Sequence, residues 1–336
     1  MDTKTILTQV LEASDRRREE RRSFLRVAGQ ASIAAGGLSL LAACGDSNGV
    51  TVVPQPTPTP TPTPTAAITD ADILNFALNL EYLEAQFYSF AVFGTGLPAS
   101  QLTGTGTQGA VTGGRQVTFT DPVVAQYARE IAGDEIAHVA FLRQALGASA
   151  VAMPAINIDG SASGAFTAAA RAAGVVSATG TFDPYANDTN FLLGAFIFED
   201  VGVSAYKGAA PLLTSKVYLD AAAGILAAEA YHAGLIRTIL YSKGFAAGNA
   251  AGSIFEQVRQ ISDARDSLDG ASDDDQGIAG ADNTISNIVP TDSSGIAYSR
   301  TAANVLNIVY LTKSATVGGG FFPNGVNGTI KTSNAN

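Results

Sequence analysis

The chain has 336 residues, 46% of them hydrophobic, and its 30 acidic against 20 basic side chains give a formal charge of -10. That length suffices for a large buried core, and the acidic balance argues against a nucleic-acid partner. The single cysteine, Cys44, excludes an intramolecular disulfide.

The N-terminus reads as an address. Arg21-Arg22-Ser23-Phe24-Leu25-Arg26 resembles a twin-arginine export signal, and the mild apolar run from Val27 to Ala43 is too short for a stable membrane span. It ends in Leu41-Ala42-Ala43-Cys44, which resembles a lipobox; that resemblance implies removal of residues 1–43 and lipidation of Cys44. The other reading is an ordinary signal peptide with an incidental cysteine. Residues 44–67 contain alternating Thr-Pro, which favours extended polyproline II and makes a semi-rigid spacer. These segments predict a membrane-anchored lipoprotein of the cell envelope or periplasm.

Four long helices follow, making residues 68–246 an all-α four-helix bundle. The first starts after Thr69, with Asp72 in a capping-box-like position, and runs from Ile73 to Phe93 before Gly94. Residues 94–120 form a Gly/Thr-rich loop, with Val117-Thr118-Phe119 as a short strand or part of a hairpin. The second helix opens at Asp121-Pro122 and closes at Leu146 before Gly147. Residues 148–188 make a long crossover between the second and third helices. The third helix spans Thr189 to Lys207, and the fourth spans Thr214 to Lys243, ended by Gly244. Residues 247–336 form a C-terminal extension. It has a helix over 254–269, a solvated loop at Asp273-Asp274-Asp275, an amphipathic helix over 299–312 that packs on the bundle, and an irregular tail over 318–328.

The chemistry is concentrated in a hidden repeat. The chain has two histidines, and each ends a Glu-x-x-His motif: Glu135 with His138, and Glu229 with His232. Residues three apart share a helix face, so each motif presents a carboxylate and an imidazole together. The other two helices carry Glu81 seven residues before Tyr88, and Glu199 seven before Tyr206. The order Glu–Tyr, Glu–His, Glu–Tyr, Glu–His places four glutamates and two histidines about a pseudo-two-fold axis. A single such motif would read as a solvated face or a satisfied core histidine. Glu84, one turn after Glu81, is the alternate to Glu81. Tyr88 and Tyr206 read equally as hydrogen-bond or redox partners of the site and as core filling. Asp134 is positioned to serve a histidine across the bundle, although exposure is the simpler reading for it and for Asp200.

The segment Asn79-Leu80-Glu81-Tyr82-Leu83-Glu84-Ala85-Gln86-Phe87-Tyr88 resembles the first helix of ferritin-like domain proteins of the desiccation-related type. Ala303 to Tyr310 and Gly319-Gly320-Phe321-Phe322-Pro323-Asn324-Gly325 resemble the same group. The resemblance covers about residues 68–326. It implies a carboxylate-bridged dinuclear site with Glu135 and Glu229 bridging, His138 and His232 terminal, and Glu81 and Glu199 as terminal carboxylates. Hard carboxylates with imidazole suit two Fe ions, or alternatively Mn.

The implied chemistry is oxidation of Fe²⁺, or reduction of O₂ or peroxide, in stress protection. A di-manganese catalase is one alternative; a structural desiccation or envelope-stress protein with a non-catalytic metal is another. The lipid tether and long extension disfavour a closed storage cage, while a homodimer stays open. No Gly-rich phosphate loop and no nucleophile–His–acid set is present.

Overall fold

A computed structural model describes residues 67–247, 252–280 and 282–336. The twin-arginine segment, Cys44 and nearly all of the Thr/Pro spacer lie outside the described residues. No described helix is long and apolar enough to cross a membrane.

Helix α1 spans Asp70–Phe93, with Thr69 and Asp72 closing a reciprocal capping box. Gly94 ends it at φ 73°, a left-handed cap that glycine adopts without a Cβ penalty. Strand β1, Val111–Gly113, pairs in parallel with β2, Ile156–Ile158, with Val111 opposite Ile156. The strand thus lies six residues before the expected Val117-Thr118-Phe119, and its partner is in the crossover, not in a hairpin. Val117 is instead buried, its backbone N–H donating to Ala91.

Helix α2 spans Pro122–Leu146, with the Asp121 carboxylate capping the amides of Val123 and Val124. The crossover holds the short α3, Ala165–Ala173. Helices α4, Asp188–Ala209, and α5, Lys216–Ala247, complete the bundle. In the extension, α6 spans Ile254–Asp269 and α7 spans Ala302–Val309, shorter at both ends than the expected 299–312.

The four long helices form two antiparallel pairs, α1 on α2 and α4 on α5, which meet through α1–α4 and α2–α5 contacts. The helices differ in burial. Nineteen of the 24 residues of α1 are buried, against eight of 25 in α2. A helix buried nearly all round needs cover on its outer face. The crossover and the extension supply it. Phe87, Phe166 and Phe198 pack with Phe321 from the tail, with the Phe198 and Phe321 centroids 4.9 Å apart.

The tail is therefore not merely irregular. Phe321 and Phe322 are fully buried, and the Asn79 side chain pairs with the backbone of Asn327, 248 residues away. The Asn327 amide in turn donates to the Thr107 and Ala152 carbonyls.

The acidic loop also departs from expectation. Asp275 is buried between Arg265 (2.6 Å) and Arg300 (3.0 Å). Asp200, expected to be exposed, is buried against Arg237 (2.7 Å) and Arg265 (3.0 Å). Arg237 and Arg300 are nearly inaccessible, and Arg300 also donates to Asp269 at 2.5 Å. A buried ion needs a partner of opposite charge, and these residues, far apart in sequence, supply it to one another.

Candidate metal centre

The fold brings Glu81, Glu135, His138, Glu199, Glu229 and His232 into one cluster at the bundle midline. All four glutamates are fully buried. His138 Nδ1 lies 3.2 Å from Glu81, 3.5 Å from Glu135 and 3.7 Å from Glu229. His232 Nδ1 lies 3.1 Å from Glu135 and 3.5 Å from Glu199. Two groups of donor atoms result, each with its atoms within 4.8 Å of one another: Glu81, Glu135, His138 and Glu229, and Glu135, Glu199, Glu229 and His232. Glu135 and Glu229 belong to both, so the Glu-x-x-His helices supply the shared carboxylates and one imidazole to each group.

The tyrosines cross between helices. Tyr88 of α1 donates to Glu199 of α4, and Tyr206 of α4 donates to Glu81 of α1. Burial, followed by the facing carboxylate, holds both phenols well above their ordinary range, so each remains a proton donor. Glu84 is buried beside the cluster but belongs to neither group. Its place in the repeat is taken in α4 by Gly202, three residues after Glu199. A Cβ at Gly202 would stand 2.4 Å from Glu229 Oε2, so glycine here leaves room for that carboxylate, with Glu84 Oε1 in ordinary contact at 3.5 Å. The Glu84-to-Gly202 match was available from the repeat itself.

Asp134 is half-exposed and accepts from His232 Nε2 at 3.0 Å across the bundle. Asp200 faces away from the cluster into the arginines. Arg237 escaped the sequence reading. Its signal was its position five residues after His232, in line with the buried stripe Ile225, Glu229, Ala233, Ile236 and Leu240 of α5.

The donor set fits a pair of metal ions. Both oxygens of Glu135 and of Glu229, Glu199 Oε2 and His232 Nδ1 are buried and make no hydrogen bond. Buried polar atoms left this way are costly, and these are the atoms that converge. Burial, then Glu81, pushes the Glu135 carboxyl up to about 7. Burial, then neighbouring carboxylates, drives Glu229 and Glu84 well above the usual range. Glu81 moves the other way: burial would raise it, but His138 and the hydrogen bonds it accepts leave it below its ordinary value. Burial opposes charge on the imidazoles, yet the surrounding glutamates raise His138 to about 10 and His232 to about 12. Without metal, two imidazolium ions thus supply the positive charge among five buried carboxylates. Four such carboxylates would match the charge of two divalent cations, and oxygen with imidazole nitrogen suits iron or manganese.

The model of the ferritin-like domain matches residues 69–242. The ferritin-like catalase Nec2 of Nesocodon mauritianus is 31% identical over 270 residues, covering 78% of this chain and 84% of the relative. The desiccation-related protein PCC13-62 of Craterostigma plantagineum is 32% identical over 246 residues, covering 71% and 76%. No solved structure matches the chain significantly. A four-helix bundle with a long crossover, two Glu-x-x-His helices and this match over more than half its length make the chain a member of the ferritin-like family.

Proposed function

We propose that this ferritin-like protein holds two redox-active divalent cations, iron or manganese, and uses them on hydrogen peroxide. The observation that carries the reading is the convergence of six buried atoms that make no hydrogen bond, both oxygens of Glu135 and of Glu229, Glu199 Oε2 and His232 Nδ1, within two donor groups sharing Glu135 and Glu229. Glu135 and Glu229 would be shared between the two ions, with Glu81 and His138 completing the donor set of one and Glu199 and His232 that of the other. When bound, such a pair of ions supplies the two-electron exchange needed to convert two H₂O₂ into O₂ and two H₂O.

The chain's own residues set the conditions. Tyr206 and Tyr88 hold one oxygen of Glu81 and Glu199, leaving the other oxygen directed at the cluster. The apolar side chains of α1 and α4 exclude bulk water, which strengthens charge interactions inside. The His138 side chain, 12% exposed, lies nearest to solvent and marks the approach for a small oxidant. Peroxide is favoured over ferrous iron as substrate because the relative named a ferritin-like catalase covers most of both chains.

The test is metal analysis with oxygen evolution. Reconstituted protein should bind two iron or manganese ions per chain and release O₂ from peroxide, and Glu135→Ala/His138→Ala should do neither. Two bound ions without turnover of peroxide or Fe²⁺ would favour a second reading, supported by the desiccation-related relative. There the metal only stabilises a stress-protective bundle, and its removal lowers the melting temperature.

The proposal includes location. The Arg21-Arg22 motif and the Leu41-Ala42-Ala43-Cys44 sequence support twin-arginine export and lipidation of Cys44, with the domain held at the envelope on its Thr/Pro spacer. Mass spectrometry of the mature N-terminus in the producing cell should find a lipid-modified Cys44, and a free or uncleaved N-terminus would refute this.

A further inference from the structure

The internal repeat makes the two halves of the cluster comparable position by position, and they differ in three ways, the first two of which run in the same direction. The first concerns the outer imidazole nitrogens. His232 Nε2 is held by Asp134, the residue before Glu135, at 3.0 Å. The corresponding residue before Glu229 is Ala228, whose methyl group accepts nothing. His138 Nε2 accordingly has no acceptor among the described residues. The second is exposure: the His138 side chain is 12% exposed and that of His232 only 4%. The third is Glu84, the carboxylate without a counterpart. Its Oε1 sits 3.5 Å from where a Cβ of Gly202 would be, so it leans over α4 one turn beyond Glu199.

A ligating histidine whose other nitrogen donates to a carboxylate is fixed in tautomer and ring orientation and is a better base. An imidazole without that partner must be ordered at the moment of binding. We propose that the two cation positions are unequal: the Glu135/Glu199/Glu229/His232 position fills first and holds tightly, and the Glu81/Glu135/Glu229/His138 position fills second and exchanges with solvent. Asp134 is the positioning residue that makes the difference. It acts through His232 and touches neither the ions nor the substrate. The inference rests on the dinuclear reading above.

Metal-free full-length chain is titrated with MnCl₂, following heat and the Mn²⁺ electron paramagnetic resonance spectrum. Two steps are expected, with an isolated-ion spectrum at one equivalent and a coupled spectrum only at two. Asp134→Asn should weaken the tight step by roughly 10- to 100-fold while leaving the weaker step in place. Ala228→Asp, which supplies the missing acceptor, should tighten the weak step and close the gap. Asp134 is half-exposed, so the asparagine variant leaves the core intact. A coupled spectrum already present at one equivalent, or an Asp134→Asn variant that weakens both steps alike, would overturn the inequality while leaving two-ion binding standing. No Mn²⁺ binding in any variant would overturn the dinuclear reading itself.

Discussion

The protein buries two ionic clusters, and they are built on opposite principles. Around Arg237, Arg265 and Arg300, three cations meet Asp200, Asp269 and Asp275, and each charge has an opposite partner. Backbone carbonyls take up much of the remaining capacity: Arg237 alone donates to those of Ile288, Gln276, Gly277 and Asn287. Only Arg265 Nε and Asp269 Oδ1 go without a hydrogen bond there. The midline cluster has five buried carboxylates against two imidazoles, and six of its converging atoms make no hydrogen bond. The first cluster is self-satisfied and staples the extension to the bundle. The second is left short of positive charge, which a cation from outside would supply. Burial of charge alone therefore does not mark a ligand site, but burial without enough counter-charge does.

The sharpest way to break this comparison is to remove one charge from each cluster. Arg237→Ala leaves Asp200 buried with less counter-charge and strips the 276–288 loop of its anchor. It should cost about 3–5 kcal/mol, read by chemical denaturation. Glu229→Gln should do the reverse in metal-free protein near neutral pH, raising the melting temperature, because that carboxylate faces mainly burial and like charges. The same variant should lose two-ion stoichiometry. Loss of stability in both variants would mean that the clusters are alike.

A smaller effect is expected from metal itself. Ions at a hundred-fold excess over their dissociation constant should stabilise the protein by about 2.7 kcal/mol, and chelation should reverse it. Addition of metal to an Arg237→Ala protein should give a similar increment, since the ions complete the midline cluster and not the arginine cluster.

The smallest effect is in pH. Glu135 sits at about 7 in the folded chain against an ordinary 4.5, and Glu84 and Glu229 are also raised. A raised folded value means that their contribution is complete below 4.5 and lost as pH climbs through 7 and beyond. His138 and His232, raised to about 10 and 12, contribute fully below 6.5 and lose that contribution progressively as pH climbs from there towards those higher values, in the same direction as the raised carboxyls. The carboxyls held low lose their contribution only on the acid side, Asp70, Asp72, Asp121 and Asp282 below 3.8 and Glu81 below 4.5. Metal-free protein should therefore melt higher at about pH 5 than at about pH 8. Bound metal should stabilise more at pH 8, because its ligands must shed protons to bind it. A metal-free melting temperature that rises steadily over that interval would refute the assignment.

The sequence displays the two clusters unequally. Glu135–His138 and Glu229–His232 are visible because three-residue spacing is local, and Glu81 and Glu199 because the repeat maps one helix pair onto the other. Long helices with caps at Thr69, Asp121 and Gly94 are legible for the same reason. Arg237, Arg265 and Arg300 were invisible as a group: each has a partner 37, 65 or 31 residues away, the nearest, Asp275 to Arg265, is still ten residues off, and an isolated arginine reads as surface. The strand at Val111–Gly113 was missed because its partner lies across α2, and a three-residue strand has no periodicity to detect.

The bond between Asn79 and Asn327 has a consequence in time. Asn79 lies two residues before Glu81, on the first described helix, yet its partner comes 248 residues later. Contacts of such long sequence separation form late, after loop-closure entropy has been overcome. The floor of the bundle beneath Glu81 therefore stays unfinished until Asn327 has been made. Every carboxylate and imidazole of the midline cluster is made long before the segment that seals it, so a chain cut short upstream of Asn327 would display the full ligand set in a bundle that cannot close.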